Sequence, residues 1–508
     1  MIISGERSIS YPEVHARIAR SATGFRTLGL RDGAPVATML RNDFAFFEVA
    51  GGAAALGSPV VPINWHLKAE EVAYILADSG ADILVCHADL LPQISGGLPD
   101  HIRLLVVKTP PEIAAAFNVP PPQATIPDGM TDWDDWRDSH AALQEPPVGA
   151  APMFYTSGTT GHPKGVRRKP MRPEQLEASA RVGTIAYGIK ADDDQVIMMN
   201  GPMYHSAPNS YGMLAFRNGC KIVLEPRFDP EDMLQLIAQH RVTHMHMVPT
   251  MFVRLLRLPD EVKARYDLSS LRFIVHGAAP CPPQVKRAMI DWWGLVINEY
   301  LGSTETGIPV WHSAREALAK PGTVGRAIEG GILKIYRPDG TLCDVNEPGE
   351  IFMCQTAIAD FDYHGNAEAR AEAGRDGLVS VGDVGYLDED GYLFLCDRKR
   401  DMVISGGVNI YPAEIENTLI GMDGVRDCAV FGVPDDEYGE RLFACIEPET
   451  GAALSAPAVQ SFLRARLANF KVPKDIQFLD ALPREASGKI FKRKLRDLYS
   501  EGRLRPVA

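Results

Sequence analysis

One twelve-residue segment, YTSGTTGHPKGV at positions 155–166, combines glycines, hydroxyl side chains and a lysine that together can bind an anion. The chain just before it reads as the end of a buried strand, so the polar residues fall on the loop that follows. Backbone amides made accessible by Gly158 and Gly161 can converge on a phosphate, and Lys164 adds positive charge. The ordinary P-loop pattern does not match, because it needs glycine directly before its lysine and this chain has proline there. The segment therefore predicts a polyphosphate site of a different type.

Further segments rich in glycine, hydroxyl, carboxylate or lysine side chains occur at 300–307, 382–383, 397–416 and 483–490. Together with the first segment they resemble, in order and approximate spacing, the motifs of the adenylate-forming enzymes. That superfamily comprises acyl-CoA synthetases, luciferases and peptide-synthetase adenylation domains, and the matches span most of the chain. The resemblance implies a reaction in two steps. A carboxylate attacks the α-phosphate of ATP and releases pyrophosphate, and the thiol of coenzyme A then displaces AMP.

The resemblance implies specific roles for the candidate catalytic residues. Lys489, on a tight glycine-containing turn, matches the cation that bridges the carboxylate and the α-phosphate. Glu305 matches a residue that helps to hold Mg²⁺, with Thr160 as a second metal contact, and Thr304 is expected near the α-phosphate. His205 matches a position that lines the acyl site and changes rotamer between the two half-reactions. We expect His205 to gate and position the substrate rather than to act as a general base.

The resemblance also implies a set of residues that bind ATP or AMP. They are Thr156, Ser157, Gly158, Thr159, Thr160, Gly161, Lys164, Gly277, Ala278, Ala279, Glu299, Tyr300, Leu301, Gly302, Ser303, Asp383 and Arg398. Asp383 is expected to accept the ribose hydroxyls with the help of Arg398. Where the family usually has an aromatic residue that stacks on adenine, this chain has Leu301, so we expect aliphatic contacts to the base.

The acyl pocket is expected to be open and apolar. Acetyl-CoA synthetases place a tryptophan at the position of Gly302, which blocks all but very small acids. The pocket of this chain is expected to be lined by Tyr204, Ala207, Gly302 and Ile308. No acidic residue occurs at 200–216, where amino-acid adenylation domains anchor an ammonium group. These features predict a medium-chain or long-chain acid, or a bulky polycyclic or aromatic one.

The length and the pattern of elements predict an α/β protein with more than one domain. A chain of 508 residues is too long for a single compact core, and β-rich runs alternate with helical patterns over its first 400 or so positions. We expect a large N-terminal domain of layered α/β subdomains with parallel sheets over 1–397. A small, mobile α+β C-terminal domain is expected over 402–508, after a hinge at 398–401.

The C-terminal domain is implied to supply the coenzyme A site. Arg400 lies at the hinge position, where the family normally has Asp or Lys. The small residues Gly406 and Gly407 are implied to leave a tunnel for the pantetheine chain. Tyr438 and Phe470 match positions that contact the adenine of coenzyme A in some members of the family.

Bulk composition excludes some classes of partner. The net charge of −13, from 52 basic and 65 acidic residues, argues against nucleic acid. The eight cysteines show no paired or metal-type spacing and read as reduced thiols of a cytoplasmic protein. No signal peptide is apparent, and the apolar stretch at 44–63 reads as a helix followed by a strand rather than a membrane span.

A homodimer is one oligomeric state open to the chain. The expected small-molecule partners are a carboxylic acid, ATP and coenzyme A.

Three other functions compete with an AMP-forming acyl-CoA ligase. A ligase could make the same acyl-AMP and load it onto a carrier protein, which the glycine tunnel disfavours. A catalytically silent nucleotide-binding protein would not need Lys489, Glu305, Asp383 and Lys164. A luciferase-like oxygenase shares the fold and is not excluded by any local feature.

Overall fold

The computed structural model describes residues 1–156, 163–191, 194–279, 281–399, 401–405, 408–435, 438–484 and 490–504, and for Asn409 it describes the backbone alone.

The N-terminal part of the chain forms a parallel sheet covered by helices. Its elements are β1 (Ile2–Ser4), β2 (Arg7–Ile9), α1 (Tyr11–Thr27), β3 (Val36–Met39), α2 (Phe44–Ala55), β4 (Val60–Pro62), α3 (Ala69–Ser79), β5 (Ile83–His87), α4 (Leu91–Ile94), β6 (Arg103–Val107), α5 (Pro111–Ala116), α6 (Pro121–Ala124), β7 (Thr131–Asp132) and α7 (Trp133–Asp138). The sheet has the order β4-β3-β5-β6-β7, and every neighbouring pair is parallel. Strands β3 and β5 are buried at every residue, as strands packed on both faces must be.

The middle of the chain supplies most of the strands. Its elements are β8 (Phe154–Thr156), β9 (Lys164–Arg168), α8 (Pro173–Tyr187), β10 (Val196–Met199), α9 (Ser206–Arg217), β11 (Lys221–Leu224), α10 (Pro230–His240), β12 (His244–Met247), α11 (Pro249–Leu256), α12 (Asp260–Lys263), β13 (Phe273–His276), α13 (Pro283–Trp293), β14 (Ile297–Ser303), β15 (Gly307–His312), α14 (Ala314–Ala319), β16 (Thr323–Ala327), β17 (Gly331–Tyr336), β18 (Gly349–Gln355), β19 (Phe361–Tyr363), α15 (Ala367–Glu372), β20 (Gly374–Arg375), β21 (Leu378–Val379), β22 (Asp383–Leu387) and β23 (Leu393–Arg398).

A long sheet runs through this region in the order β2-β1-β11-β10-β12-β13-β14-β15-β16-β23-β22-β18-β21-β20, with β17 paired to β18. From β1 to β14 the neighbours are parallel, and from β14 to β20 they are antiparallel. The carboxyl ends of β10, β12, β13 and β14 therefore lie at one edge of the sheet, which is where α/β proteins bind ligands. A separate sheet of order β19-β9-β8 stands beside it.

The C-terminal part forms a second, smaller unit. Its elements are β24 (Val403–Ser405), β25 (Val408–Ile410), α16 (Pro412–Leu419), β26 (Val425–Asp435), β27 (Gly439–Pro448), α17 (Ala456–Arg464), β28 (Asp475–Phe478) and α18 (Lys492–Ser500). Its sheet has the order β25-β24-β27-β26, with β28 parallel to β27, and among the described residues it shares no strand with the other sheets.

The predicted fold class is confirmed: the chain is α/β, with a large N-terminal domain and a small α+β C-terminal domain. The predicted parallel strands and the predicted helix at Pro412 are also present. The division at 398–401 and the mobility of the smaller domain stay predictions.

Candidate active site

Three of the motifs found in the sequence follow strands that are close together in the long sheet. Residues 200–206 follow β10, residues 277–279 follow β13, and residues 301–306 lie at the end of β14 and in the turn after it. Parallel strands that are close neighbours deliver their carboxyl ends to the same edge. Segments separated by about a hundred positions in the chain are thus brought to one place.

The Thr304 hydroxyl joins two of these motifs. It lies 2.7 Å from the hydroxyl of Ser206, the first residue of α9 and the neighbour of His205. The guanidinium of Arg168 donates to the backbone carbonyl of Thr304 and, at 2.9 Å, to that of Ala359. Burial lowers the pKa of Arg168 to about 10, although the nearby Glu305 carboxylate acts to raise it. Arg168 therefore stays charged at neutral pH. Thr304 is therefore fixed through both its side chain and its backbone.

The Glu305 carboxylate is buried and receives two hydroxyl donors. Thr156 donates to Oε1 of Glu305 at 3.3 Å, and the Tyr363 hydroxyl donates to the same atom at 3.2 Å. The ammonium of Lys164 lies 5.3 Å from the centre of the Tyr363 ring. In the β8–β9 pair Thr156 lies directly opposite Lys164, so the two residues that flank the phosphate loop are side by side, and Thr156 is bonded to Glu305. A carboxylate, an ammonium and hydroxyls thus meet at the base of that loop.

The backbone after β13 is strained in the way that functional loops often are. Ala278 has a φ of 68°, in the left-handed region that side chains rarely adopt. A Cβ atom at Gly277 would lie 2.7 Å from the Tyr300 ring, so only glycine allows this close approach. The Tyr300 hydroxyl in turn lies 2.8 Å from Nε2 of His246.

Glu299 and Leu301, both predicted to bind nucleotide, direct their side chains into the protein. The Glu299 carboxylate binds the Lys286 ammonium and lies 2.7 Å from Nε2 of His312. Although burial alone would raise the pKa of Glu299, these neighbours lower it well below its usual range. Leu301 packs against an apolar cluster that includes Val310. A contact from Glu299 to a nucleotide would have to come from its backbone.

The predicted ribose residues are partners of each other. Asp383 and Arg398 lie opposite in the β22–β23 pair, and Nε of Arg398 is 3.1 Å from Oδ1 of Asp383. Next to Arg398, the Asp397 carboxylate accepts a 2.8 Å hydrogen bond from the backbone of Ala413 near the start of α16. The end of β23 is thus connected to the first helix of the C-terminal unit.

The residues predicted to line the acyl pocket fall into two clusters. Ala207 and Ile308 pack against the same apolar cluster, which also contains Tyr211 and Tyr300. Tyr204 belongs to another cluster, where its ring lies 4.5 Å from that of Trp65. A Cβ atom at Gly302 would lie 2.0 Å from the Gly307 carbonyl oxygen, so the backbone itself occupies that space.

Several predicted site residues lie outside the described residues, and their roles stay predictions. They are Ser157, Gly158, Thr159, Thr160 and Gly161 of the phosphate loop, Arg400 of the hinge, Gly406 and Gly407 of the tunnel loop, and Lys489. The predicted coenzyme A contacts Tyr438 and Phe470 are exposed, and each ring has a lysine ammonium nearby, Lys474 at 5.3 Å and Lys471 at 5.8 Å.

Sequence reasoning missed four residues that shape the site. Ser206 and Tyr363 hold Thr304 and Glu305, and Arg168 holds the Thr304 carbonyl. The Asn42 side chain donates to the Gly201 carbonyl at 2.9 Å and accepts from the backbone of Met203 at 3.0 Å, which fixes the turn before His205. The available signal for Asn42 was a polar residue three positions after the end of the buried strand β3.

The residues present fit a magnesium ion that is held mainly by substrate. The described residues contain no group of three or more His, Cys, Asp or Glu side chains suited to a metal. Mg²⁺ commonly takes one or two carboxylates and completes its shell with phosphates and water. Glu305, near the end of the phosphate loop, could supply that carboxylate, and the ion would neutralise phosphate charge. None of the helices in the described part of the chain combines the length and apolar character that crossing a bilayer requires.

The chain is similar to known proteins along most of its length. A family model described as AMP-binding enzyme matches residues 1–360, and one described as AMP-binding enzyme C-terminal domain matches 414–489. The chain is 35% identical over 500 residues to feruloyl-CoA synthase of Amycolatopsis sp, covering 97% of this chain and 94% of that protein. It is 32% identical over 502 residues to long-chain-fatty-acid–CoA ligase FadD13 of Mycobacterium tuberculosis, covering 97% and 93%. ATP-bound MatB from Rhodopseudomonas palustris matches with a TM-score of 0.83 and 28% identity, covering 99% of this chain and 96% of that one.

The chain therefore belongs to the AMP-binding enzyme family, the adenylate-forming superfamily whose motifs its sequence resembles. Within that superfamily it is an AMP-forming acid–thiol ligase, a class that uses ATP and coenzyme A, usually with Mg²⁺.

Proposed function

We propose that this chain is an acyl-CoA ligase for a medium-chain or long-chain acid or a bulky polycyclic or aromatic one. The observation that supports this most strongly is the contact of Thr304 and Glu305 with residues from three other segments. Thr156 comes from the start of the phosphate loop, Ser206 from the acyl-side helix, and Arg168 from the strand after the phosphate loop. Such an arrangement suits a reaction in which a nucleotide and an acid must meet.

In the first half-reaction, a carboxylate oxygen attacks the α-phosphate of ATP, the bond to the β-phosphate breaks, and pyrophosphate leaves. Lys164 and the loop amides hold the phosphates, and Thr304 donates to the α-phosphate while Ser206 orients its hydroxyl. Lys489 bridges the carboxylate and the α-phosphate, two anions that would otherwise repel each other. Asp383 holds the ribose, which fixes the nucleotide for in-line attack.

In the second half-reaction, the sulfur of coenzyme A attacks the acyl carbonyl and AMP leaves with the carboxylate oxygen. The thiol proton is released to solvent as the thioester forms. Rotation of the C-terminal domain about the hinge would bring the loop of Gly406 and Gly407 to the acyl-AMP. His205 would then move aside to open the pantetheine path.

The proposal is tested with purified protein, ATP, Mg²⁺ and a panel of acids, with and without coenzyme A. The panel runs from butyrate to palmitate and includes cinnamates, benzoates and steroid acids, and products are identified by mass spectrometry. AMP and an acyl-CoA from one class of acid would support the ligase and define its substrate. Lys489→Ala is expected to abolish acyl-AMP formation, and Lys494→Ala, an exposed lysine of the next helix, is the matched control.

Two results would contradict the proposal. Acyl-AMP that accumulates in the presence of coenzyme A would point to another acceptor, such as a carrier protein. The absence of adenylate from every acid in the panel would remove the basis for the proposed substrate class.

A further inference from the structure

Four polar aromatic side chains pack together in the core, next to residues that are expected to line the acyl pocket. The Tyr211 ring lies 5.4 Å from that of Tyr187 and 5.9 Å from that of His246, and the His246 ring lies 5.7 Å from that of Tyr300. They come from α8, α9, β12 and β14, and their rings pack against one another. We call Tyr187, Tyr211, His246 and Tyr300 the aromatic floor.

The aromatic floor adjoins residues that are expected to contact the acid. Tyr211 and Tyr300 belong to the same apolar cluster against which Ala207 and Ile308 pack. Ala207 precedes Tyr211 by four residues on α9, so the two lie on the same side of that helix, one turn apart. Tyr211 is therefore the next residue after Ala207 on that side of α9.

Tyr211 carries a buried hydroxyl that is unused. The residue is 1% exposed, and within the described part of the chain its hydroxyl has no hydrogen-bond partner. Burial raises the pKa of Tyr211 well above its usual value, so the group stays a donor at neutral pH. The neighbouring His246 does not compete for a ligand, because its Nε2 is already bonded to Tyr300. Burial also lowers the pKa of His246 to about 4 and keeps it neutral.

A buried donor without a partner is costly in a folded protein and is rare for that reason. A ligand oxygen that completes the hydrogen bond removes this cost. A ligand without the oxygen leaves the hydroxyl unpaired, so a site of this type discriminates between the two.

We propose that the acyl site is built for an acid with a hydroxyl, alkoxy or keto oxygen remote from its carboxylate, and that Tyr211 donates to that oxygen. This inference rests on the proposed function and narrows its substrate class. Ser206 contacts Thr304, where the carboxylate is activated, and Tyr211 follows five positions later on α9. The Cα atoms of these two residues are separated by about 7.5 Å along the helix axis, so the oxygen that Tyr211 would bind lies on a part of the acid away from its carboxylate.

The test measures the adenylation step alone by ATP–pyrophosphate exchange, with pairs of acids that differ in one oxygen. The pairs are 4-hydroxycinnamate and cinnamate, 8-hydroxyoctanoate and octanoate, and lithocholate and 5β-cholanate. In any pair of acids that supports exchange, the wild type is expected to have a kcat/KM about tenfold or more higher for the acid with the extra oxygen. Tyr211→Phe is expected to reduce this preference to about twofold, because the oxygenated acid loses its donor.

Tyr336→Phe is the matched control, since Tyr336 is also buried but its hydroxyl already donates to Asp376 at 2.7 Å. That variant should keep the preference and unfold at a lower temperature than the wild type. Tyr211→Phe should unfold at the same or a higher temperature, because it removes a buried hydroxyl that has no hydrogen-bond partner among the described residues. A clear loss of thermal stability in Tyr211→Phe would contradict the unpaired donor.

Equal kcat/KM values within every active pair, or activation of deoxy acids only, would overturn the inference and leave the ligase intact. Retention of the preference in Tyr211→Phe would overturn the role of Tyr211. Failure of every acid to support exchange would instead contradict the proposed function. The wild-type ratios decide the substrate class even if a variant does not fold.

Discussion

The hydroxyls of Ser206 and Thr304 lie 2.7 Å apart and connect the acyl-side helix α9 to the nucleotide motif after β14. Ser206 follows His205, and Thr304 precedes Glu305, so one hydrogen bond links the residues expected at the acid to those expected at the phosphates. We expect this contact to align the acid with the α-phosphate.

We predict that Ser206→Ala lowers kcat/KM for ATP in adenylation by about fivefold to tenfold, the value of one hydrogen bond. The Thr304 hydroxyl would rotate freely, and its alignment with the α-phosphate would be lost. Initial rates of pyrophosphate exchange at varied ATP measure the effect. Ser210→Ala, an exposed serine one turn further along α9, is the control and should match the wild type. An unchanged rate in Ser206→Ala would show that this contact does not orient Thr304.

We predict that Arg168→Met raises KM for ATP and the Mg²⁺ concentration for half-maximal rate, with a loss of about 30-fold in kcat/KM. The Thr304 carbonyl would lose its charged donor, and Glu305 would lose a nearby positive charge. Arg168→Lys should recover only part of the loss, because a lysine cannot reach two carbonyls with a planar fork.

The neighbouring Arg167 is exposed on the same strand, so Arg167→Met is the matched control and should keep wild-type kinetics. If Arg168→Met lowered thermal stability without changing the Mg²⁺ or ATP dependence, Arg168 would be a structural residue only.

We predict that Glu225→Gln stabilises the protein at pH 8 and has little effect near pH 4.5. Burial raises the pKa of Glu225 well above its ordinary 4.5, and Oε2 has no hydrogen-bond partner among the described residues. The folded protein therefore keeps a proton that the unfolded chain releases, so its stability falls as the pH rises above the unfolded-state pKa. Glutamine resembles the protonated acid and removes this penalty.

Thermal unfolding of both proteins from pH 4.5 to 8 measures the difference, which should grow with pH to about 2 °C. Glu261→Gln, an exposed residue of α12, is the control and should show no such trend. A difference that shrinks with rising pH would contradict the buried neutral acid.

We predict that Gly302→Ala lowers the adenylation rate by more than about tenfold, since a shift of an ångström at a catalytic loop can cost a hundredfold. Its Cβ atom would lie 2.0 Å from the Gly307 oxygen, so the turn that carries Thr304 and Glu305 would have to move. Gly421→Ala, with one neighbour at 3.3 Å, is the control. Normal rates in a folded Gly302→Ala would mean that the turn tolerates displacement.

Much of the fold and the class of site could be predicted from the sequence, because continuous motifs carry them. The alternation of β-rich runs with helical patterns predicted the parallel strands, and Pro412 predicted the start of α16. The position of individual side chains could not be read in this way. Glu299 and Tyr300 stand inside the nucleotide motif, yet each side chain bonds inside the core to a residue of another element.

The missed residues show the same limit. Arg168 lies in an Arg-Arg-Lys run that resembles a solvated surface, and only the β9–β19 pairing turns it toward Thr304. Tyr363 is about two hundred positions from Thr156, and both reach Glu305 because their strands flank β9. Contacts of this kind depend on tertiary pairing, which local patterns do not encode.

The most direct test of the central claim follows the carboxylate oxygen. An acid that the enzyme uses as a substrate is labelled with ¹⁸O in both carboxylate positions and incubated with ATP, Mg²⁺, coenzyme A and the wild-type protein. The ¹⁸O content of AMP and of acyl-CoA is then measured by mass spectrometry. Attack of the carboxylate on the α-phosphate predicts one ¹⁸O atom in AMP and one in the thioester carbonyl. Unlabelled AMP, or ADP with phosphate in its place, would contradict the account.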